Sequence, residues 1–252
     1  MWSKFLATLP LAAFVVADFD SIANDFTDAA TEVGVQQAKN CDPNDQQCQR
    51  SFGSAWAQEI INAINGYACW CYFQDAHGRG KGSPVNEVDA QCKILHDGYT
   101  CIIMDAEDEG KQCTPWDVKY NSATGLGLLA NDDENNASLE QALRSQCKKV
   151  NKKSNCAARA CMVENYFVVR TMRLFLHGVK FDPSLKHSLG LFDPKSDCPL
   201  KNGIKSEKEC CGSYPLRYPY KHLNGDRGCC GEKTYNTQMM MCCDDGSVKV
   251  VC

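Results

Sequence analysis

The stretch that decides the fold is QCKILHDGYTC, residues 91–101. It lies in a run from Val85 to Met104 where apolar residues recur at three- and four-residue steps, which predicts an amphipathic helix. Neighbouring side chains on a helix point about 100° apart, so Asp97 is poorly placed to orient the ring of His96. The two side chains are better suited to different partners, with His96 as a general base toward water and Asp97 as a carboxylate ligand for a cation.

A cysteine pair and a glycine-rich loop precede this helix. YACWC, residues 67–71, is followed by HGRGKGSP, residues 77–84. If bridges at Cys69 and Cys71 tie the loop down, its backbone carbonyls and one carboxylate provide the hard oxygen ligands that calcium prefers. A His-Asp dipeptide also occurs on ordinary solvated helices, so the hypothesis of a site depends on the order of all these motifs.

The rest of the amino-terminal two thirds alternates predicted helices and loops. Residues 51–66 and, most strongly, residues 155–176 show helical periodicity. A capping-box pattern beginning at Ser138 predicts a further helix toward Val150. We expect residues 18–50 to form an ordered but loop-rich arm and residues 105–137 to form a long loop.

The motifs around His96 appear in the order that is typical of secreted phospholipase A2 enzymes. That family runs Tyr-Gly-Cys-x-Cys, a glycine-rich calcium loop, x-Pro-x-Asp-x-x-Asp, cysteines, and then His-Asp with a tyrosine following. The matching residues here are Tyr67 to Cys71, Gly78 to Asp89, Cys92, His96, Asp97 and Tyr99. Cys161-Met162-Val163-Glu164 is similar to the Cys-x-Cys-Asp motif of the family's second helix. The chain therefore resembles this family over about residues 52–176.

The resemblance implies an α-rich, disulfide-stapled phospholipase A2-like domain in which two antiparallel helices carry the site. In that arrangement His96 would deprotonate the attacking water. Glu164 would accept a hydrogen bond from the far nitrogen of the His96 ring and fix its tautomer, and Tyr99 would support this network.

The resemblance also implies a calcium site. Asp97 would hold calcium together with loop carbonyls from Trp70, Gly78 and Gly80. Bound calcium would polarise the ester carbonyl and stabilise the oxyanion. The implied activity is calcium-dependent hydrolysis of the sn-2 ester of glycerophospholipids, at a membrane surface or a micelle.

Departures from the family pattern favour an alternative function. The loop between Cys71 and Pro84 is longer than the family's, and Gly98 and Tyr99 stand where the family has cysteines. A bridge from Cys101 to Cys161 would restore a staple between the two helices. The alternative is a catalytically silent phospholipase-like scaffold that serves as an extracellular matrix or toxin-like binding protein.

The amino-terminal segment and the cysteine content predict a secreted, extracellular protein. Residues 1–17 have the basic, apolar and small-residue order of a signal peptide, and the chain holds 18 cysteines, an even number typical of an oxidising compartment. The formal net charge of −4 argues against nucleic acid as a partner.

A change in composition predicts a second unit. After a phospholipase-like domain at residues 51–178 and a linker at 179–197, residues 198–252 are cysteine-rich and lack helical periodicity, which predicts a small β module. Ten cysteines precede residue 198 and eight lie in residues 198–252, so we expect each part to close its own bridges.

The module carries further local signals. Each of its three CC doublets should send bonds to two different places, because vicinal cysteines do not easily bridge each other. Asn224-Gly225 and Asp245-Gly246 predict hairpin turns. The segment from residue 229 to residue 248 resembles repeats of galaxin-type extracellular matrix proteins, which implies a matrix partner.

Overall fold

The computed structural model describes residues 20–37, 46–73, 79–123, 136–200 and 205–252. The predicted signal peptide lies outside these residues. The described residues form an α-rich, disulfide-rich fold with small antiparallel strand pairs. The helices are α1 Asp20–Gln37, α2 Gln46–Ile64, α3 Glu87–Asp108, α4 Asn136–Val150, α5 Asn155–Leu176 and α6 Pro194–Asp197.

The predicted loop-rich arm is largely helical instead. Residues 20–37 form α1, which packs against α2 and α5. Ile22, Phe26 and Ala29 are buried at helical spacing, and the ring of Phe26 meets that of Phe167 edge-on at 5.9 Å between centroids. This apolar stripe is narrow and interrupted by polar residues, which is why the composition of the segment suggested a loop.

Helices α3 and α5 form the central pair of the fold. Asn86 caps α3 by accepting a hydrogen bond from the Asp89 amide, and Ser154 caps α5 in the same way. The two helices run antiparallel, since Glu109 contacts Arg159 while Tyr99, earlier on α3, contacts Glu164 later on α5.

Gly98 allows these helices to approach closely. A Cβ atom at this position would lie 2.7 Å from Cγ1 of Val163, which is shorter than any ordinary contact. Close packing of the two helices thus explains why a glycine stands at position 98, where the phospholipase A2 family has a cysteine.

Eight disulfide bridges connect the described cysteines. They join Cys69 to Cys198, Cys71 to Cys92, Cys101 to Cys210, Cys113 to Cys156, Cys147 to Cys161, Cys211 to Cys229, Cys230 to Cys242, and Cys243 to Cys252. The expected bridge between Cys101 and Cys161 is wrong, because the module supplies a partner for Cys101 and α4 supplies one for Cys161. The expectation that each part closes its own bridges is also wrong, because Cys198 bonds to Cys69 in the loop after α2 and Cys210 bonds to Cys101 on α3.

The predicted linker is bound to the end of α2. The Ala68 amide donates to the Leu185 carbonyl at 2.9 Å, and the His187 amide donates to the Gly66 carbonyl at 3.0 Å. The Lys186 ammonium contacts carbonyls at the carboxyl end of α2, where the helix dipole favours a cation.

The carboxy-terminal module consists of three two-stranded antiparallel sheets. Their strands are β1 Lys208–Cys211 with β2 Tyr218–Lys221, β3 Arg227–Cys230 with β4 Lys233–Asn236, and β5 Met241–Cys242 with β6 Val248–Lys249. Asp245-Gly246 lies in the turn between β5 and β6, as predicted. Asn224-Gly225 does not turn a hairpin, since it lies in a short 3-10 segment between β2 and β3, which belong to different sheets. Each CC doublet bonds to two different places, which confirms that prediction.

Candidate functional site

The structure places His96, Tyr99 and Glu164 together on the facing sides of α3 and α5. His96 is buried, with 4% of its surface exposed, and its ring centroid lies 6.4 Å from that of Tyr99. One helical turn further along α3, the Tyr99 hydroxyl donates a 2.8 Å hydrogen bond to Oε1 of Glu164 across the helix interface. The predicted support from Tyr99 thus takes the form of a direct bond to the carboxyl group.

The hydrogen-bond partners of Glu164 are hydroxyl groups and not the His96 ring. Its Oε2 lies 2.8 Å from the Ser21 hydroxyl and 2.6 Å from the Tyr120 hydroxyl, while Oε1 accepts from Tyr99 at 2.8 Å. The expected Glu164–His96 hydrogen bond is not among the contacts of Glu164 with the described residues, whose partners there are the hydroxyl groups of Ser21, Tyr99 and Tyr120.

A second buried carboxyl group completes this network. The Tyr120 hydroxyl lies 2.6 Å from Oε2 of Glu164 and 2.7 Å from Oδ2 of Asp25, and Asn165 also donates to Asp25. A hydroxyl group has one hydrogen, so it can donate to only one of the two carboxyl groups. For both contacts to be hydrogen bonds, the other carboxyl group must carry a proton and donate it to the Tyr120 oxygen.

The electrostatics identify Glu164 as the group that holds this proton. Burial raises the pKa of Glu164 from its ordinary value of 4.5 to about 8, and the nearby charge of Asp25 adds to the rise while the hydroxyl donors oppose it. Burial also raises the pKa of Tyr99 and Tyr120 well above the ordinary value for a phenol, so both keep their protons. The network is therefore a set of neutral donors around two buried carboxyl groups, of which Glu164 has the raised pKa.

Sequence reasoning missed Ser21, Asp25 and Tyr120. Tyr120 lies in a region without periodicity, and no motif marks it. Asp25 could have been found from the sequence, because it lies among the apolar residues Ile22, Phe26 and Ala29 on one face of a helix. A carboxylate is rarely buried there unless it has partners.

Asp97 has an ammonium group as its partner. Lys93 lies one helical turn earlier on α3, and its Nζ contacts Oδ2 of Asp97. The same Nζ lies 5.0 Å from the ring centroid of Trp70, within the range of a cation–π contact. Burial raises the pKa of Asp97, and the charge of Lys93 opposes this rise.

The loop that was expected to supply carbonyl ligands is held by Asp89. This buried carboxylate accepts hydrogen bonds from the amides of Trp70 at 2.7 Å, Val85 at 3.0 Å and Cys69 at 3.2 Å. The bridge from Cys71 to Cys92 ties the same segment to α3. Asp89, which the sequence motif placed next to the predicted calcium loop, therefore anchors that loop through hydrogen bonds.

Two of the predicted carbonyl donors lie among the described residues. Trp70 already accepts a 2.8 Å hydrogen bond from the Tyr72 amide at its carbonyl. Gly80 packs against the indole of Trp70, since a Cβ atom there would lie 2.4 Å from the ring. Gly78 lies outside the described residues.

Asp97 and the neighbouring carbonyl groups fit a calcium ion only when Lys93 has left Asp97. Asp97 supplies the negative charge, and the neighbouring carbonyls are of the right chemical type, but the ammonium of Lys93 already neutralises the carboxylate. Among the described residues, no three His, Cys, Asp or Glu side chains form a cluster that would hold a metal ion. A divalent cation at Asp97 would therefore have to displace Lys93 and rely on backbone carbonyls.

Comparison with known proteins gave no relatives: no family model, curated protein or solved structure matches this chain. Within the described ranges, no helix has both the length and the apolar character needed to cross a membrane.

Proposed function

We propose that this protein is a secreted, calcium-dependent hydrolase that cleaves the sn-2 ester of glycerophospholipids, with a phospholipase A2-like site. The observation that carries the proposal is the hydroxyl–carboxyl network beside His96. Tyr99 and Glu164 join the two helices that the motifs predicted would carry the site, and they do so through a buried hydrogen bond of 2.8 Å. Buried groups with strongly shifted pKa values, such as Glu164, are concentrated at functional sites.

In this proposal His96 accepts the proton of the attacking water. The imidazole is buried between the helices, with the ring centroids of Tyr99 at 6.4 Å and of Trp70 at 6.3 Å from its own. Asp97 would hold a calcium ion once Lys93 has moved aside, and calcium held there would supply Lewis-acid polarisation of the ester carbonyl. The substrate is presented at a membrane surface or a micelle.

A second candidate function is a catalytically silent scaffold that binds an extracellular partner, such as a matrix component, through the carboxy-terminal module. The contact between Lys93 and Asp97 favours it, because an ammonium that stays on the carboxylate would keep calcium out. The two functions thus differ in whether Lys93 leaves Asp97.

The test is hydrolysis of phosphatidylcholine vesicles, with calcium and with a chelator, by the wild type and by His96→Gln. The proposal expects calcium-dependent turnover that the substitution reduces by at least a hundredfold. Turnover that persists in chelator, or that His96→Gln leaves unchanged, contradicts it.

Lys93→Gln distinguishes the two candidates. It removes the competing ammonium, so calcium affinity measured by titration calorimetry should rise in both cases. For the hydrolase, the wild type must already bind calcium and turn over. For the silent scaffold, neither occurs in the wild type, and turnover remains absent in Lys93→Gln.

A further inference from the structure

A basic cleft lies apart from the His96 site, where α4, the start of α5 and the loop between β1 and β2 meet. Its volume is about 670 Å3. It opens beside Asp105, which follows His96 along α3 by roughly 13 Å of helix axis. None of the residues of the candidate active site lines it.

Cationic residues outnumber acidic ones on the walls of the cleft. Five cationic residues line it against one acidic residue; they are Arg144, Lys148, Lys152, Arg159 and Arg217. The acidic residue, Asp105, is paired with Arg217, which donates to both of its oxygens, and it also accepts from the Tyr214 hydroxyl at 2.8 Å. Arg144 and Arg159 are paired with glutamates as well, so among the described residues the uncompensated positive charge of the cleft comes from Lys148 and Lys152.

The arginines are held in place by contacts that use only part of each guanidinium group. Arg144 donates through Nε to the Tyr214 carbonyl and through Nη2 to Glu140 and Glu232. Arg159 donates through Nη2 to Glu109 and lies over the ring of Tyr214. Within the described ranges, neither Arg144 nor Arg159 uses Nη1 in a hydrogen bond, so each keeps a donor for a ligand.

A run of exposed lysines extends the positive surface out of the cleft. The sequence KKVNKK, residues 148–153, contributes four of them at the end of α4 and in the turn before α5. None of these lysines has a carboxylate partner in the part of the chain that the structure describes. The turn itself is rigid, because Asn151 is buried and bonded to Asn121 and Cys147, and the bridge from Cys147 to Cys161 fastens it to α5.

We propose that the cleft and the lysine turn together bind a linear sulfated polysaccharide. Guanidinium and ammonium groups recognise sulfate by charge-assisted hydrogen bonds, and a row of cations leading out of a cleft matches a chain that carries several sulfates. The chain as a whole is acidic, so such a ligand would be attracted by this local cluster and not by the net charge. Bridges of the kind found here persist in oxidising compartments, where sulfated polysaccharides are the abundant linear polyanions.

The carboxy-terminal module forms part of the cleft. Tyr214 and Arg217 come from that module, and the bridge from Cys101 to Cys210 fixes it against α3. The site is therefore built from both parts of the chain, and it does not depend on the hydrolase function proposed above.

The experiment is titration calorimetry of the full chain with a size-defined heparin oligosaccharide at near-physiological salt. The test variant replaces Lys148, Lys149, Lys152 and Lys153 with Gln. The control variant replaces four other exposed lysines with Gln, namely Lys180, Lys195, Lys205 and Lys233, so that the net charge is the same. We expect the test variant to bind at least tenfold more weakly, the control to stay within twofold of the wild type, and affinity to fall steeply with salt.

Several outcomes would overturn the proposal. These are no binding by the wild type, equal losses in the test and control variants, or equal affinity for a desulfated oligosaccharide. Equal affinity for polyphosphate or duplex DNA of matched charge would show general polyanion attraction instead. Helix content is checked by circular dichroism, and if the test variant is unfolded, the double variant Lys148→Gln/Lys152→Gln replaces it with the same expected direction.

Discussion

The protonated state of Glu164 makes a specific prediction about how stability depends on pH. The pKa of Glu164 is about 8 in the folded chain, against an ordinary value of 4.5. A carboxyl group whose folded pKa is raised binds its proton more tightly when folded. Its contribution to stability is therefore fully present below pH 4.5, falls as the pH rises, and is lost above pH 8.

The magnitude follows from the two pKa values. Each unit of pKa difference corresponds to about 1.4 kcal/mol, so between pH 5 and pH 9 the wild type should lose about 4 kcal/mol of unfolding free energy through this group. In Glu164→Gln the amide does not titrate. Its NH2 group can donate to the oxygens of Tyr120 and Ser21, and its carbonyl can accept from Tyr99, so the substitution preserves every contact.

The assay is guanidinium unfolding at five pH values from 5 to 9, followed by circular dichroism with the disulfides intact. Glu164→Gln should gain steadily on the wild type as the pH rises, by about 4 kcal/mol over the range. Glu109→Gln is the control, because ion pairs lower the pKa of this exposed carboxyl group to about 2 and it stays ionised throughout. A constant difference between Glu164→Gln and the wild type from pH 5 to pH 9 would refute the shared-proton network.

Two further predictions concern packing and covalent structure. Gly98→Ala should destabilise the fold by about 1–3 kcal/mol, because the new methyl group would meet Val163, and adding Val163→Ala should recover part of that loss in denaturant unfolding. An unchanged or raised stability of Gly98→Ala would contradict the close approach of α3 and α5. Replacing both Cys101 and Cys210 with Ala should lower stability by about 3–4 kcal/mol, more than removal of the short-range bridge between Cys243 and Cys252, as measured by the same unfolding assay. Equal losses from the two removals would show that the Cys101–Cys210 bridge closes no long loop.

The helices could be predicted from the sequence where a long apolar stripe coincides with a cap. Residues 155–176 were predicted as a helix and are found as α5 with the same bounds, because Ser154 supplies a cap and the apolar stripe is continuous. The helix predicted from Val85 to Met104 is found from Glu87 to Asp108, since Asn86 fixes its start while no strong breaker fixes its end. Helix α1, with 18 residues, was missed because its stability comes from packing against α2 and α5, which local periodicity does not reveal.

The disulfide pairing could not be predicted, because it depends on distances between segments far apart in the sequence. Cys101 and Cys210 have Cα atoms 5.8 Å apart at a sequence separation of 109. Spacing within each part of the chain says nothing about this distance. Each part of the chain holds an even number of cysteines, ten before residue 198 and eight from it onward. These numbers are therefore compatible with separate bridging and also with the two crossing bridges that are found.

The candidate site was predicted in its components and not in its connections. The motifs suggested a Glu164–His96 hydrogen bond supported by Tyr99, whereas the structure has a direct Tyr99–Glu164 bond, and the partners Asp25 and Tyr120 depend on how α1 and the loop after α3 pack. The contact between Lys93 and Asp97, in contrast, could have been foreseen, because oppositely charged residues four apart on a helix commonly pair.

The two acidic residues of the candidate site, Asp97 and Glu164, have different partners. Cation binding at Asp97 and proton binding at Glu164 can therefore be tested separately. Asp97 lies beside the ammonium of Lys93, which opposes the rise of its pKa on burial, whereas Glu164 has a pKa of about 8 and is surrounded by hydroxyl groups. Binding of a divalent cation at Asp97 must therefore compete with Lys93, and it should strengthen when that ammonium is removed. Loss of the Glu164 proton is governed instead by a pKa of about 8, so it changes stability with pH whether or not a cation binds. Cation binding and the proton network can thus be perturbed one at a time, which makes the hydrolase proposal testable at each of its two parts.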